Sequence, residues 1–414
     1  MWMSGYGGRT KPAEGKQTEL WAKALVLEDA AGAKAVLVTL DLVGISRGIA
    51  APVCKQLQDK HGLARASIIL SCSHNHCGPV VGDNLRAMYF LDAEQKKLVD
   101  EYTMFLQAKI ADVVDQAMKN SRPAALAWSI GRAGFAVNRR NNKEAEVPTL
   151  IDKGELKGPV DHDVPVLAVR DAQGKLIAVA FGYACHATVM DYLKWSGDYP
   201  GFAQIELEKA HPDAVALFWA GCGADQNPLP RRKVELAQKY GRQLASAVEE
   251  ALSKPMTAVA AELSGSYREI DLPYHELPSR EKLVMATMSK NKYEANRAKL
   301  LLKQLETKGS LRGDYPYPIQ AWRLGKDLTW VALGGEVVVD YALRLKRELG
   351  PQTWVMGYAN DVMAYIPSLR VLKEGGYEGG GAMLYYGLHS IWGTRVEELI
   401  VEHVREAVKV VRPK

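Results

Sequence analysis

The chain has 414 residues, 47% of them hydrophobic and 24% charged. That is the balance of a globular protein able to bury a large core without disulfides or metals for stability. The formal net charge of +5 is small and scattered, with no Lys/Arg-rich run, which excludes a nucleic-acid binder. No run of about 18 apolar residues exists, which excludes a membrane span. Five cysteines are an odd count without scaffold spacing and read as small buried hydrophobes. No signal peptide is legible and the compartment is left open. The opening Met1-Trp2-Met3-Ser4-Gly5-Tyr6-Gly7-Gly8-Arg9 reads as the middle of a motif, so a trimmed natural start is expected.

In chain order, residues 1–16 are glycine-rich and loop-like. Residues 21–28 and 34–42 read as strands about an Ala-Gly turn, the second ending in Asp41. Helical periodicity covers 49–61, and 67–72 is a short buried strand. A long amphipathic helix is expected over 92–119, with Asp92 as its N-cap. A strand at 128–130 leads to the polar loop Val137-Asn138-Arg139-Arg140. Residues 164–170 and 176–183 form a hairpin about Asp171-Ala172-Gln173-Gly174. After Ser196-Gly197-Asp198 come a helix over 202–210, an apolar strand over 214–220 and a helix over 234–253. The highly charged stretch 279–308 reads as a solvated helical surface element. A hairpin joins 319–324 to 328–333, a helix runs to 349, 353–358 is a strand, and the last helix is 395–411. No repeat and no linker marks a domain boundary.

One stretch carries unusual chemistry. Ser73-His74-Asn75-His76-Cys77-Gly78-Pro79 follows an apolar strand. In extended backbone, residues i and i+2 point the same way, so His74 and His76 are expected to face one cleft. Five times an apolar strand runs into a polar or glycine-rich motif: at His74/His76, at His186, at Asp225/Asn227, at Glu336 and over 360–365. Ligands of α/β proteins bind outside the carboxyl ends of strands. Two histidines and a carboxylate from separate strand ends are the donor types of a catalytic zinc site with an open position.

The ordered motifs resemble the catalytic domain of the neutral (non-lysosomal) ceramidases, zinc amidases that cleave N-acyl sphingosine. His74-Asn75-His76-Cys77-Gly78-Pro79 is similar to that family's HTHSGP, Val137-Asn138-Arg139 to its asparagine-arginine pair, and Ala184-Cys185-His186-Ala187-Thr188 to its ATHGT. Ser196-Gly197-Asp198 is similar to its SGD, and Gly335-Glu336 to its proline-glycine-glutamate turn. Tyr365 and Tyr377 reproduce a tyrosine pair. The resemblance implies an α/β fold, a mixed β-sheet core flanked by helices with the site at strand C-terminal ends. It also implies zinc held by His74, His186, Glu336 and Tyr365, with His76 moving a proton and Arg139 and Tyr377 at the reacting carbonyl. Two departures stand out. Asn227 falls where the family has its nucleophilic serine. The family's C-terminal immunoglobulin-like domain is not expected, so 1–414 reads as a single catalytic domain.

The resulting expectation is a zinc hydrolase using metal-activated water, with Asn227 and Arg139 stabilising charge. Arg9, Arg139, Arg140, Arg231 and Arg232 lie in loops near the motifs, and arginine forks pair with carboxylates. Arg9, Arg140, Arg231 and Asp198 are accordingly assigned to substrate binding. An N-acyl amino acid or an acidic sugar suits them better than ceramide. A second reading is a lyase or glycosidase acting on an acidic sugar or oligosaccharide. A third is a non-catalytic protein that retains zinc.

Overall fold

A computed structural model describes residues 1–411. Three sheets form the centre. The first joins Ala22–Glu28, Lys34–Leu40 and Ile68–Cys72, the last pair parallel. The second orders Val215–Ala220, Leu176–Tyr183, Asp163–Arg170, Ala125–Arg132 and Thr257–Ala258. The third orders Leu263–Pro273, Asp314–Leu324, Leu328–Leu333 and Thr353–Met356, again with a parallel last pair. The α/β class and the mixed sheets agree with expectation.

Strand periodicity explains how the sheets meet. Successive side chains point to opposite faces. Ala35 and Leu37, Leu217 and Trp219, Leu328, Trp330 and Ala332 therefore all enter one core shared by the three sheets. Trp219, Trp330 and Trp354 fill its middle, with Trp330 and Trp354 centroids 5.1 Å apart. The intervening residues Val36, Val38, Phe218, Val331 and Leu333 face a second core on the outer side. Helices Ala93–Lys119, Asp198–Ala210, Val234–Ser253, Val339–Leu349 and Val396–Val411 cover it. In the last, Val396, Ile400, Val404, Ala407 and Val411 recur at helical spacing and are buried. Among the described residues, no helix is long and apolar enough to cross a membrane.

The C-terminal ends of the strands are tied to one another. Cys72 N donates to Tyr358 O at 3.2 Å and Asn360 N to Leu70 O at 2.7 Å, joining the first sheet to the third. Gly357 N donates to Ala220 O at 3.1 Å, joining the third to the second. His76 N donates to Ala187 O at 3.2 Å, joining the second to the first. Glu336–Val337 pairs in parallel with Tyr365–Ile366, and Gln226–Pro228 antiparallel with Ala136–Asn138. The loops that carry the polar motifs are thus fixed at both ends.

Several elements differ from the sequence expectations. The charged stretch 279–308 is two helices, Arg280–Ala286 and Lys292–Lys308, with a small core of Leu283, Ala298, Leu301 and Leu311. It is not merely solvated: Tyr293 OH donates to Gly7 O at 2.7 Å. The edge strand Leu263–Pro273 had no sequence signal, because most of its side chains stay accessible and its apolar alternation is broken. His74 has φ of 57°, so its segment is left-handed rather than extended. All five cysteines are buried and free.

Asp361 is buried with Oδ1 accepting from Arg47 N at 3.1 Å and Oδ2 from Tyr315 OH at 2.7 Å. Burial pushes its carboxyl up to about 7. A carboxyl raised in the folded state contributes stability that is complete below the unfolded value of roughly 4 and is lost as pH rises through the folded value. Asp361→Asn is expected to flatten the fall in Tm between about pH 4 and 7; an unchanged slope would count against this assignment. At Gly182 an added Cβ would run into the Trp219 ring. Gly182→Ala should cost about 1–3 kcal/mol, the usual penalty of overpacking, read as a lower urea midpoint with an unchanged m-value.

Candidate metal centre

Four strand-end loops bring His74, His186, Glu336 and Tyr365 to one buried point. His74 Nε2 lies 3.0 Å and His186 Nε2 3.2 Å from Glu336 Oε2. Tyr365 OH lies 3.2 Å from His186 Nε2. The two histidines and the glutamate are each at most 3% exposed. Gly335, at φ of 75°, lets the chain turn immediately before Glu336; a Cβ there would meet Ala364 O at 2.7 Å.

Backbone carbonyls decide which ring nitrogens are free. His74 Nδ1 donates to Val43 O at 2.6 Å and His186 Nδ1 to Gly223 O at 2.8 Å. A carbonyl can only accept, so the proton of each neutral ring is on Nδ1 and the Nε2 lone pair points at Glu336. Burial and the charge of Arg139 push His186 down to about 4, toward the neutral ring. Burial opposes ionisation of Glu336, and only positive charge or N–H donation from the side of His74 and His186 holds the carboxyl well below its usual range; with both Nε2 atoms unprotonated, that charge is left for a cation to supply. Glu336 Oε2 has no hydrogen-bond donor. Acceptors that converge without a proton among them fit a cation. His76 adds to the set: its Nε2 is 3.1 Å from His74 Nε2, and the ligand nitrogens of His74, His76 and His186 lie within 4.8 Å of one another. His76 is the more accessible of the three, with its ring centroid 4.8 Å from that of Tyr6 and its Nδ1 unpartnered among the described residues.

Arg139 stands beside this cluster as a hub. Its Nε donates to Glu378 at 2.7 Å, Nη1 to Asn227 Oδ1 at 3.2 Å and Nη2 to Tyr365 OH at 3.0 Å. Burial opposes its charge, but Tyr365 and Glu378 outweigh burial and keep the guanidinium protonated. Asn227 lies on the short strand paired with Ala136–Asn138, opposite Val137 and so two residues along from Arg139. The Tyr377 ring is 5.2 Å from that of Tyr365 and remains 42% exposed.

The residues assigned to substrate from sequence separate into two groups. Arg9 lines a cavity with Tyr6 and Tyr377, whose rings pack against His76 and Tyr365 of the cluster. Arg140, Arg231 and Asp198 do not face it freely. Arg140 is held by Glu378 at 2.6 Å and Glu374 at 3.0 Å. Arg231 forks onto Glu144 at 2.7 and 3.0 Å. Asp198 is fully buried and accepts from the amides of Met190 and Tyr199 at 2.9 and 2.6 Å. These three shape loops; their charges are already answered inside the protein. Sequence reasoning also passed over Glu378, Tyr358 and Tyr386. Tyr358 stacks on His74 at 4.3 Å. Tyr386 OH donates to Glu336 Oε1 at 2.5 Å. Glu378 had one signal, its position next to Tyr377; buried tyrosines look like any other core aromatic in a sequence.

A family model described as neutral/alkaline non-lysosomal ceramidase, N-terminal, matches residues 1–224. The chain belongs to this family. Neutral ceramidase B of Dictyostelium discoideum is 29% identical over 222 residues, which is 50% of this chain and 29% of that protein. The neutral ceramidase of Pseudomonas aeruginosa is 24% identical over 219 residues, 50% of this chain and 31% of that protein. The matched stretch thus spans less than a third of either relative. A solved structure of neutral ceramidase from P. aeruginosa superposes on 100% of this chain and 72% of its own, with a TM-score of 0.74 and 21% identity. The ceramidase fold therefore extends well beyond the half of the chain where sequence similarity is detectable.

Tyr386 occupies Oε1 of Glu336 and leaves Oε2 to face the histidines. Partners that orient metal ligands typically contribute 10–100-fold in affinity. Tyr386→Phe is expected to weaken zinc binding by about that factor, measured by competition with a chromophoric chelator. Wild-type affinity in the variant would show that Oε1 needs no anchor.

Proposed function

We propose that this protein is a zinc-dependent hydrolase that cleaves an amide (N-acyl) bond in a polar or anionic substrate, with water as nucleophile. The observation that carries the proposal is the convergence of two unprotonated imidazole nitrogens and a donor-less carboxylate oxygen, 3.0 and 3.2 Å apart, beside a half-buried arginine. The family's named members are neutral ceramidases, whose name denotes an N-acyl substrate.

His74, His186, Glu336 and Tyr365 would hold the ion. When bound, zinc supplies Lewis acidity: it polarises a carbonyl oxygen and makes water acidic enough to attack near neutral pH. His76 is pushed well down by burial and by the neighbouring imidazoles, so it is neutral and ready to accept a proton at Nε2, the nitrogen facing His74. Arg139 and Tyr377 stand where negative charge develops on the substrate oxygen. Asn227 turns Oδ1 to Arg139, which leaves Nδ2 as a further donor toward that oxygen. An amide cannot serve as the attacking group, so the mechanism rests on water.

Two interventions test this. Removal of metal by a chelator, with restoration by added zinc, should abolish and return amide hydrolysis. His186→Ala, lacking a direct ligand, should lose more than the roughly hundredfold typical of a supporting partner. Activity that survives both would sink the metal mechanism.

A further inference from the structure

A cavity of about 460 Å³ lies between the loop of residues 5–9 and the tyrosines 293, 377 and 385; two of its lining rings, Tyr6 and Tyr377, pack against His76 and Tyr365 of the cluster. At about 30 Å³ per water, it holds a compact molecule. Its walls carry a pattern. A ladder of rings leads outward from the cluster: Tyr365 to Tyr377 at 5.2 Å, Tyr377 to Tyr385 at 6.0 Å, Tyr385 to Tyr293 at 5.0 Å and Tyr293 to Phe90 at 5.8 Å. Phe90 is 49% exposed at the outer end.

Arg9 faces the ladder from the opposite wall. Its side chain donates to Ser4 O and Tyr192 O and lies 4.8 Å over the Tyr6 ring. Among the described residues it has no carboxylate partner, and its buried Nε has no acceptor. The cavity's other arginine differs: Arg232 is paired with Asp191, which lines the same space. Arg9 therefore leaves one positive charge unanswered in the mouth. Its guanidinium is already oriented by two carbonyls, which lowers the ordering cost of gripping an anion.

The same walls disfavour a two-chain lipid. Met88 is the single aliphatic side chain lining the cavity. Each methylene left unburied forfeits its transfer free energy, so long alkyl chains gain little here. Flat rings and hydroxyls gain more: tyrosine faces are electron-rich and their hydroxyls are donors and acceptors.

We propose that the cleft selects a compact N-acyl anion, an amide whose carboxylate or sulfate is held by Arg9 and whose flat ring lies along Tyr377, Tyr385 and Tyr293. This deepens the hydrolase reading and rests on it for the reaction, though not for the binding. N-acyl aromatic amino acids and acidic N-acylated amino sugars share this chemistry.

The test pairs each anion with its neutral counterpart. Zinc-loaded full-length protein is assayed with N-acetylphenylalanine and its methyl amide, with an N-acetylated hexosamine sulfate and its unsulfated form, and with a short-chain ceramide. Amine release and calorimetric binding are both read. At least one anion should exceed its neutral partner by tenfold or more in kcat/KM, and the sulfate and carboxylate arms identify the source. Arg9→Gln should remove that discrimination, with the loss falling on KM, and Arg9→Lys should restore part of it. Anion binding that depends on Arg9 without turnover would uphold the selection and overturn the hydrolase reading. Turnover indifferent to charge, a preference for ceramide, no binding of either anion, or an Arg9→Gln loss equal for anion and neutral partner would overturn the selection.

Discussion

Everything in this structure is arranged to tolerate a costly cluster of acceptors. Two imidazole lone pairs and a carboxylate oxygen meet in the interior, within 3.0 and 3.2 Å. Burying polar groups without partners costs several kcal/mol each, and like-signed partial charges facing one another add to it. Two devices hold the arrangement against relaxation. The carbonyls of Val43 and Gly223 fix both tautomers, and Tyr386 fixes one glutamate oxygen. Neither device would work on mobile loops. The hydrogen bonds that join the three sheets at their strand ends supply the necessary rigidity, and the tryptophan core behind them prevents the sheets from sliding.

Arg139 extends the same logic outward. A buried guanidinium is expensive unless each of its faces is answered. Here Glu378, Asn227 and Tyr365 answer three of its nitrogens. Glu378 in turn is shared with Arg140, itself tied to Glu374. The paired arginines therefore divide their labour: one reaches Tyr365 at the acceptor cluster, and the other neutralises and steadies the carboxylate that positions it. A second arginine in a loop was readable as a substrate contact in the sequence, but its partner came from more than two hundred residues away.

That distance marks what a single sequence reveals. Motifs that follow apolar strands at once were legible, because strand periodicity and the rule that ligands gather at strand carboxyl ends act locally. His74, His186, Glu336 and Tyr365 were found in that way together with a family resemblance. The reason offered for His74 and His76 facing one cleft did not survive, since His74 is left-handed. The rings still meet because His76 N is pinned to Ala187 O, a contact no local pattern encodes. Asp198 and Arg231 looked functional because charge in a loop looks accessible; amide donors and Glu144 had already claimed them. The edge strand Leu263–Pro273 was invisible because an edge with mostly accessible side chains needs no strict alternation.

The uneven likeness to ceramidases follows from the same construction. The family model covers residues 1–224, which contain His74, His76, Arg139 and His186. The carboxylate, both tyrosines and Glu378 lie after it, yet the superposition covers the whole chain. Backbone lacing between strand ends depends on amides and carbonyls, which every residue provides, so the frame can persist while side chains drift. The centre cannot drift, because each member of an acceptor cluster constrains the others. The mouth is coupled more loosely: Arg9 packs on Tyr6, which packs on His76, and Tyr293 and Tyr385 lead to Tyr377. A chain built this way can keep the fold and the acceptor cluster while its mouth changes.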